Sequence, residues 1–105
     1  MKNEYKSCIQ RCQDCLVECQ NCLMKMAGME SMNDCPKCCA LCIDACLACI
    51  KFLSADSEFS AQYCKICAEV CAWCAIQCEA HDHDHCQACA ASCRACAEAC
   101  TALAA

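Results

Sequence analysis

The chain has 105 residues with 13 acidic against 8 basic side chains, a formal net charge of -5, and 21 cysteines beside a single glycine and a single proline. That length suits one small domain, and because much of the 60% hydrophobic fraction is Cys and Ala, its aliphatic core is smaller than the figure suggests. Acidic balance without a basic patch argues against nucleic acid as a partner. The leading Met1-Lys2-Asn3-Glu4-Tyr5-Lys6 has no apolar signal region, so a cytoplasmic location is expected, and the stretch from Cys38 to Leu53 is broken by Asp44 and Lys51, short of the ~20 apolar residues of a membrane span.

In chain order, a first helix is expected over residues 4–27, capped by Asn3 and stopped by Gly28 in the left-handed C′ conformation. It carries Cys8, Cys12, Cys15, Cys19 and Cys22. Pro36, suited to a first helical position, opens a second helix over 36–53 with Cys35, Cys39, Cys42, Cys46 and Cys49; its ring restricts Cys35, which is assigned to the cap. Ser54, Asp56 and Ser57 crowd the next junction with cap formers, placing a third helix over 57–79 with Cys64, Cys67, Cys71, Cys74 and Cys78. Asp82 or Asp84 is the expected cap of a fourth helix over 85–103, bearing Cys86, Cys89, Cys93, Cys96 and Cys100. Strand alternation is absent, and only Cys38 falls outside the four runs of five.

Alternating steps of three and four stack side chains along one face of an α-helix. Four such helices joined by short loops pack most simply as an all-α, antiparallel up-down-up-down four-helix bundle, one domain over 1–105, and the chain reads as a fourfold repeat of a helix with five inward thiols. With Cys12 and Cys15 at a and d, Ile9, Leu16 and Leu23 fall at e and close the seams, while Gln13, Asp14, Gln20 and Asn21 face outward. Ala88, Ala91, Ala95, Ala99 and Ala102 are expected to permit close approach of the fourth helix. Each stripe covers about 21 Å at ~1.5 Å per residue.

One or two buried cysteines would be ordinary small hydrophobes. Twenty in register call for another account. A disulfide framework is disfavoured by the odd count and by geometry, since helical neighbours hold their Cβ atoms ~5–6 Å apart where a disulfide wants ~3.5–4.5 Å. Metal binding remains. Two metal–sulfur bonds of ~2.3 Å set sulfurs about 4.5 Å apart, a distance that helical neighbours can supply, and Cu(I) is the soft ion that thiolates select. Charge favours it too: one Cu(I) replacing one thiol proton leaves the core neutral when each thiolate bridges two ions, whereas Zn(II) on four thiolates buries two negative charges. A metallothionein-like zinc or cadmium buffer remains the alternative, with quartets assembled across the bundle; an iron–sulfur electron carrier is less well served, because Cys35-Pro36 lacks the cluster-binding run before it.

The repeated C-x3-C and C-x2-C steps from Cys8 to Cys100 resemble those of the cysteine-rich four-helix-bundle copper storage proteins of bacteria. The resemblance implies a homotetramer of bundles whose inward cysteines bind many Cu(I) ions, of the cytosolic kind, with all twenty striped cysteines and Cys38 as ligands. It leaves the copper donor and acceptor unnamed.

Two soft-ligand clusters flank the stripes. Met24, Met26, Met29 and Met32 surround the first loop, and His81, His83 and His85 alternate with Asp82 and Asp84 in the third, at the same end of an up-down-up-down bundle. They form a candidate port for Cu(I); the competing account is an exposed polar loop with methionine packing and cap chemistry. Ile66, Val70, Trp73 and Ile76, with Leu41 and Leu47, form a second apolar ridge that serves the seams, a homo-oligomeric face, or both. An enzyme is not expected, since no cysteine is set beside a fixed base and no glycine-rich phosphate loop is present.

Overall fold

The computed structural model describes residues 1–104. Its four helices are α1 (Asn3–Met26), α2 (Lys37–Ser54), α3 (Ser60–Glu79) and α4 (Asp84–Leu103), with no strand among the described residues. Each packs on its two neighbours in a closed ring, α1 on α2, α2 on α3, α3 on α4 and α4 on α1. The bundle measures 41 × 19 × 17 Å. Local sequence explains the elements: each stripe turns one face inward, and polar residues such as Gln13, Asp14, Gln20 and Asn21 are exposed opposite it.

Several boundaries depart from the sequence reading, for one shared reason. No helix start is held by a side-chain cap; the N-caps are Lys2, Pro36, Phe59 and His83. Asn3 is thus the first helical residue rather than the cap, and Asp84 likewise begins α4 instead of preceding it. Pro36 sits one position before the helix it was expected to begin, and Cys35 lies outside that cap. Backbone i→i−3 turns supply an acceptor where a side-chain cap would have, with Tyr5 N–H donating to the Lys2 carbonyl at 3.1 Å and Cys86 N–H to the His83 carbonyl at 3.0 Å. The α3 start moves from 57 to Ser60 because Ser57 closes a turn of its own, accepting the Phe59 N–H at 3.1 Å. Gly28 does take the left-handed conformation after α1, at φ +81°.

The two ends of the bundle differ. At the end holding the α2–α3 turn, buried Leu53 follows Cys49 on the α2 stripe, with Tyr5 and Leu103 packed on the core and Phe52 stacked on Tyr63 at 3.9 Å between ring centres. At the opposite end, Met26 occupies the next step of the α1 stripe after Cys22 and is 1% exposed. On α4, Ala90 is the buried alanine and Ala95, Ala97 and Ala99 are half-buried, whereas Ala88, Ala91 and Ala102 are exposed, so the close approach falls one residue round from the expected row.

Candidate metal centre

All 21 cysteines are buried, none more than 1% exposed, and all are free thiols. Cys38 joins them although it lies off the stripe: its position beside Cys39 turns it toward α3, where its Sγ lies 3.9 Å from that of Cys78. Along each helix, neighbouring sulfurs are in contact, as in Cys15–Cys19 at 3.9 Å and Cys67–Cys71 at 3.8 Å. Contacts across the bundle are as close. Cys42 touches Cys71 at 3.5 Å, Cys15 at 3.6 Å and Cys93 at 3.9 Å, so that one sulfur joins all four helices.

These contacts build the cross-bundle quartets that the helical ladder alone did not isolate. Cys8, Cys49, Cys64 and Cys100 bring one thiol from each helix, as do Cys12, Cys46, Cys67 and Cys96, with all four sulfurs within 4.8 Å of one another. The quartets share members: Cys12 recurs with Cys49, Cys67 and Cys100, and Cys15 and Cys42 belong both to a set with Cys46 and Cys71 and to a set with Cys19 and Cys93. A sulfur shared by two sets is placed to bridge two ions. Sulfurs 3.5–4.0 Å apart need to spread by about 0.5 to 1 Å to admit a two-coordinate ion between bonds of ~2.3 Å, a change within reach of χ1 adjustment.

Electrostatics hold the thiols at one end of the column protonated. Burial first, and then neighbouring sulfurs, push the thiols of Cys22 and Cys35 well above the ordinary range, and burial likewise raises Cys86. These three lie at the Met26 end, so an ion arriving there meets protonated thiols and displaces protons as it binds.

The flanking soft ligands separate into distinct settings. Met24, Met29 and Met32 are exposed, whereas Met26 lies in the core. His83 is exposed and stacks on His85 at 5.1 Å between ring centres. His85 reaches the sulfur column, its Nδ1 3.5 Å from the Cys86 Sγ, and partial burial together with the charge of His83 holds its pKa below the usual imidazole value. His81 is buried in hydrogen bonds to the first loop. The sequence pattern found the two clusters but not this division, because the register of Met26 and the path of the first loop follow from packing. Trp73 and Val70 pack against the core as seam residues, leaving Ile66, Ile76, Leu41 and Leu47 as the exposed apolar part of the ridge.

A helical bundle whose interior is a continuous column of shared thiols defines a metal-storing protein, with the ions as cargo. The family profile "Csp: Copper storage protein" matches residues 1–105, and the chain belongs to that family. Among solved structures, it is similar to the Cu(I)-bound copper storage protein BsCsp3, with 37% identity over 98% of this chain and 100% of that one at a TM-score of 0.92. It is also similar to apo copper storage protein 3 from Bacillus subtilis, with 39% identity over 95% and 98% of the two chains at a TM-score of 0.89. No curated protein matches it. Copper storage rather than catalysis is the role that family membership implies.

Proposed function

We propose that this chain holds many Cu(I) ions in its core as cytoplasmic copper storage, with the twenty striped cysteines and Cys38 as bridging thiolate ligands and a homotetramer as the working assembly. The observation that carries this reading is the sharing of buried sulfurs among overlapping quartets. Shared thiolates let metal and sulfur approach one to one, so each Cu(I) that replaces a proton adds no net charge to a medium that tolerates charge poorly. Close contacts along and between helices also give an ion a neighbouring sulfur at each step, so it can pass down the column by exchanging one thiolate at a time.

Uptake is assigned to the Met26 end. Exposed Met24, Met29, Met32 and His83 present soft ligands outside, His85 and Met26 stand between them and the column, and Cys22, Cys35 and Cys86 receive the ion. The opposite end presents Leu53, Tyr5 and Leu103. The cytoplasmic assignment follows the resemblance to the cytosolic kind of copper storage protein, and no helix among the described residues is long and apolar enough to cross a membrane. Exposed Ile66 and Ile76 on α3 support the assembly.

The quartets with one thiol per helix favour a second reading, a zinc or cadmium buffer using closed tetrahedral sites. Anaerobic competition decides between them. The copper reading expects the loaded protein to withhold Cu(I) from a strong Cu(I) chelator while yielding zinc to a zinc chelator, and the reverse order of retention would refute it.

A further inference from the structure

Every thiol of the column is at most 1% exposed, so no ion reaches a sulfur unless part of the protein moves. The far end is sealed by apolar packing, and opening it would put Leu53, Tyr5 and Leu103 into water. The uptake end is sealed differently. The segment between α1 and α2 does not simply join its own helices; it crosses to α3 and the α3–α4 turn, where side-chain hydrogen bonds hold it. Asn33 is the centre of that attachment. Its Nδ2 donates to the Gln77 carbonyl at 2.8 Å, which fixes the orientation of the amide and leaves Oδ1 to accept the Cys35 N–H at 3.0 Å and the His81 Nε2–H at 2.9 Å. The Asp34 N–H donates to Gln77 Oε1 at 3.0 Å, and Ser31 Oγ lies 3.3 Å from His81 Nε2. His81 is itself held, its carbonyl accepting from Gln87 Nε2 at 2.7 Å and its N–H donating to the Cys78 carbonyl at 3.1 Å.

We infer that Asn33 and His81 form a clasp that keeps the 27–36 strap, which itself carries Cys35, closed over Cys22 and Cys86, and that release of this clasp, rather than ligand exchange at the outer methionines, limits how fast Cu(I) enters and leaves. His81 is on this account a positioning residue. The choice of this strap as the moving part follows from what opening exposes: hydrogen-bonding groups, which water satisfies again, at one end, and apolar side chains, which water does not reward, at the other. The inference rests on the assignment of uptake to the Met26 end.

A gate speeds passage in both directions without changing the equilibrium. The test therefore measures uptake from a buffered Cu(I) solution and removal by bathocuproine disulfonate, on the full chain under anaerobic conditions. Asn33→Ala is expected to raise both rates by roughly tenfold, the effect of losing the attachments of one side chain, with capacity and affinity unchanged. His81→Ala should do the same, the double variant should be no faster than the faster single variant, and His81→Gln, whose amide can replace the Nε2–H donor, should restore slow transfer. Gln77→Ala loosens the strap from the helix side and serves if Asn33→Ala does not fold. Unchanged rates in all of these variants overturn the clasp. Slower transfer in both His81→Ala and His81→Gln would also overturn it, by showing that His81 hands copper on as a ligand, while leaving the uptake end in place. Ser60→Ala breaks the hydrogen bond to the Phe52 carbonyl at the far end; if it accelerates transfer while Asn33→Ala does not, both the clasp and the assigned uptake end fall.

Discussion

Removing the sulfur of Cys42 separates bridged storage from isolated metal sites. Its Sγ contacts thiols of α1, α3 and α4 and belongs to two of the overlapping quartets. If each ion required four sulfurs of its own, the 21 thiols would fill at most about five sites, and deleting a member would abolish a site, about a fifth of capacity. If thiolates bridge and charge is matched one to one, the wild type saturates near 20 ions per chain, and Cys42→Ala loses about one of them, near 5%. The substitution should leave the metal-free fold intact, since loss of one buried sulfur is comparable to loss of a methylene and costs about 1 kcal/mol, with a cavity contribution of similar size. Anaerobic titration with Cu(I), followed by metal analysis after desalting, reads both capacities. A wild-type plateau near five ions, or a fall of about a fifth in Cys42→Ala, would refute the bridged column.

Proton release follows from the same chemistry: with burial holding Cys22, Cys35 and Cys86 above the ordinary thiol range, pH-stat titration at neutral pH should record about one proton per Cu(I), and a ratio near zero would show that the thiols are already ionised. The sign for the metal-free fold is also set. A thiol raised in the folded state stabilises it below the unfolded thiol pKa, and that contribution is lost as pH rises toward the folded value; thermal melts should therefore hold level through neutral pH and fall in alkali, and a melt that rises in alkali would contradict the assignment. Replacing Met24, Met29 and Met32 by Leu keeps apolar volume and removes the outer thioethers, so capacity should be unchanged, and transfer from a Cu(I) donor should stay near wild type while the clasp is intact and slow only when Asn33→Ala has released it; a large loss of capacity would make these side chains storage ligands. Paired Ile66→Lys and Ile76→Lys changes should dissociate the assembly without altering capacity, as read by light scattering and titration, and an unchanged mass would place the subunit contact elsewhere.

The amino-acid sequence by itself determined the helices, the inward stripes and the metal class, because these depend on local geometry. Steps of three and four residues fix which side chains share a helix face whatever the rest of the chain does, and thiol chemistry follows from composition. The exact helix starts escaped because Asn3, Ser57 and Asp84 are all chemically fit to cap, while backbone turns compete for the same N–H groups. Packing alone decided which thiols meet across the axis, since the 3.5 Å approach of Cys42 to Cys71 depends on the relative height and rotation of two helices. It also brought Cys38 inside, sent Met26 into the column while Met24 stayed exposed, and made Trp73 a seam residue. The clasp was the least legible feature. Asn33 and His81 lie 48 positions apart, and no periodicity relates them; they meet only because the first strap crosses the end of the bundle to reach the turn after α3.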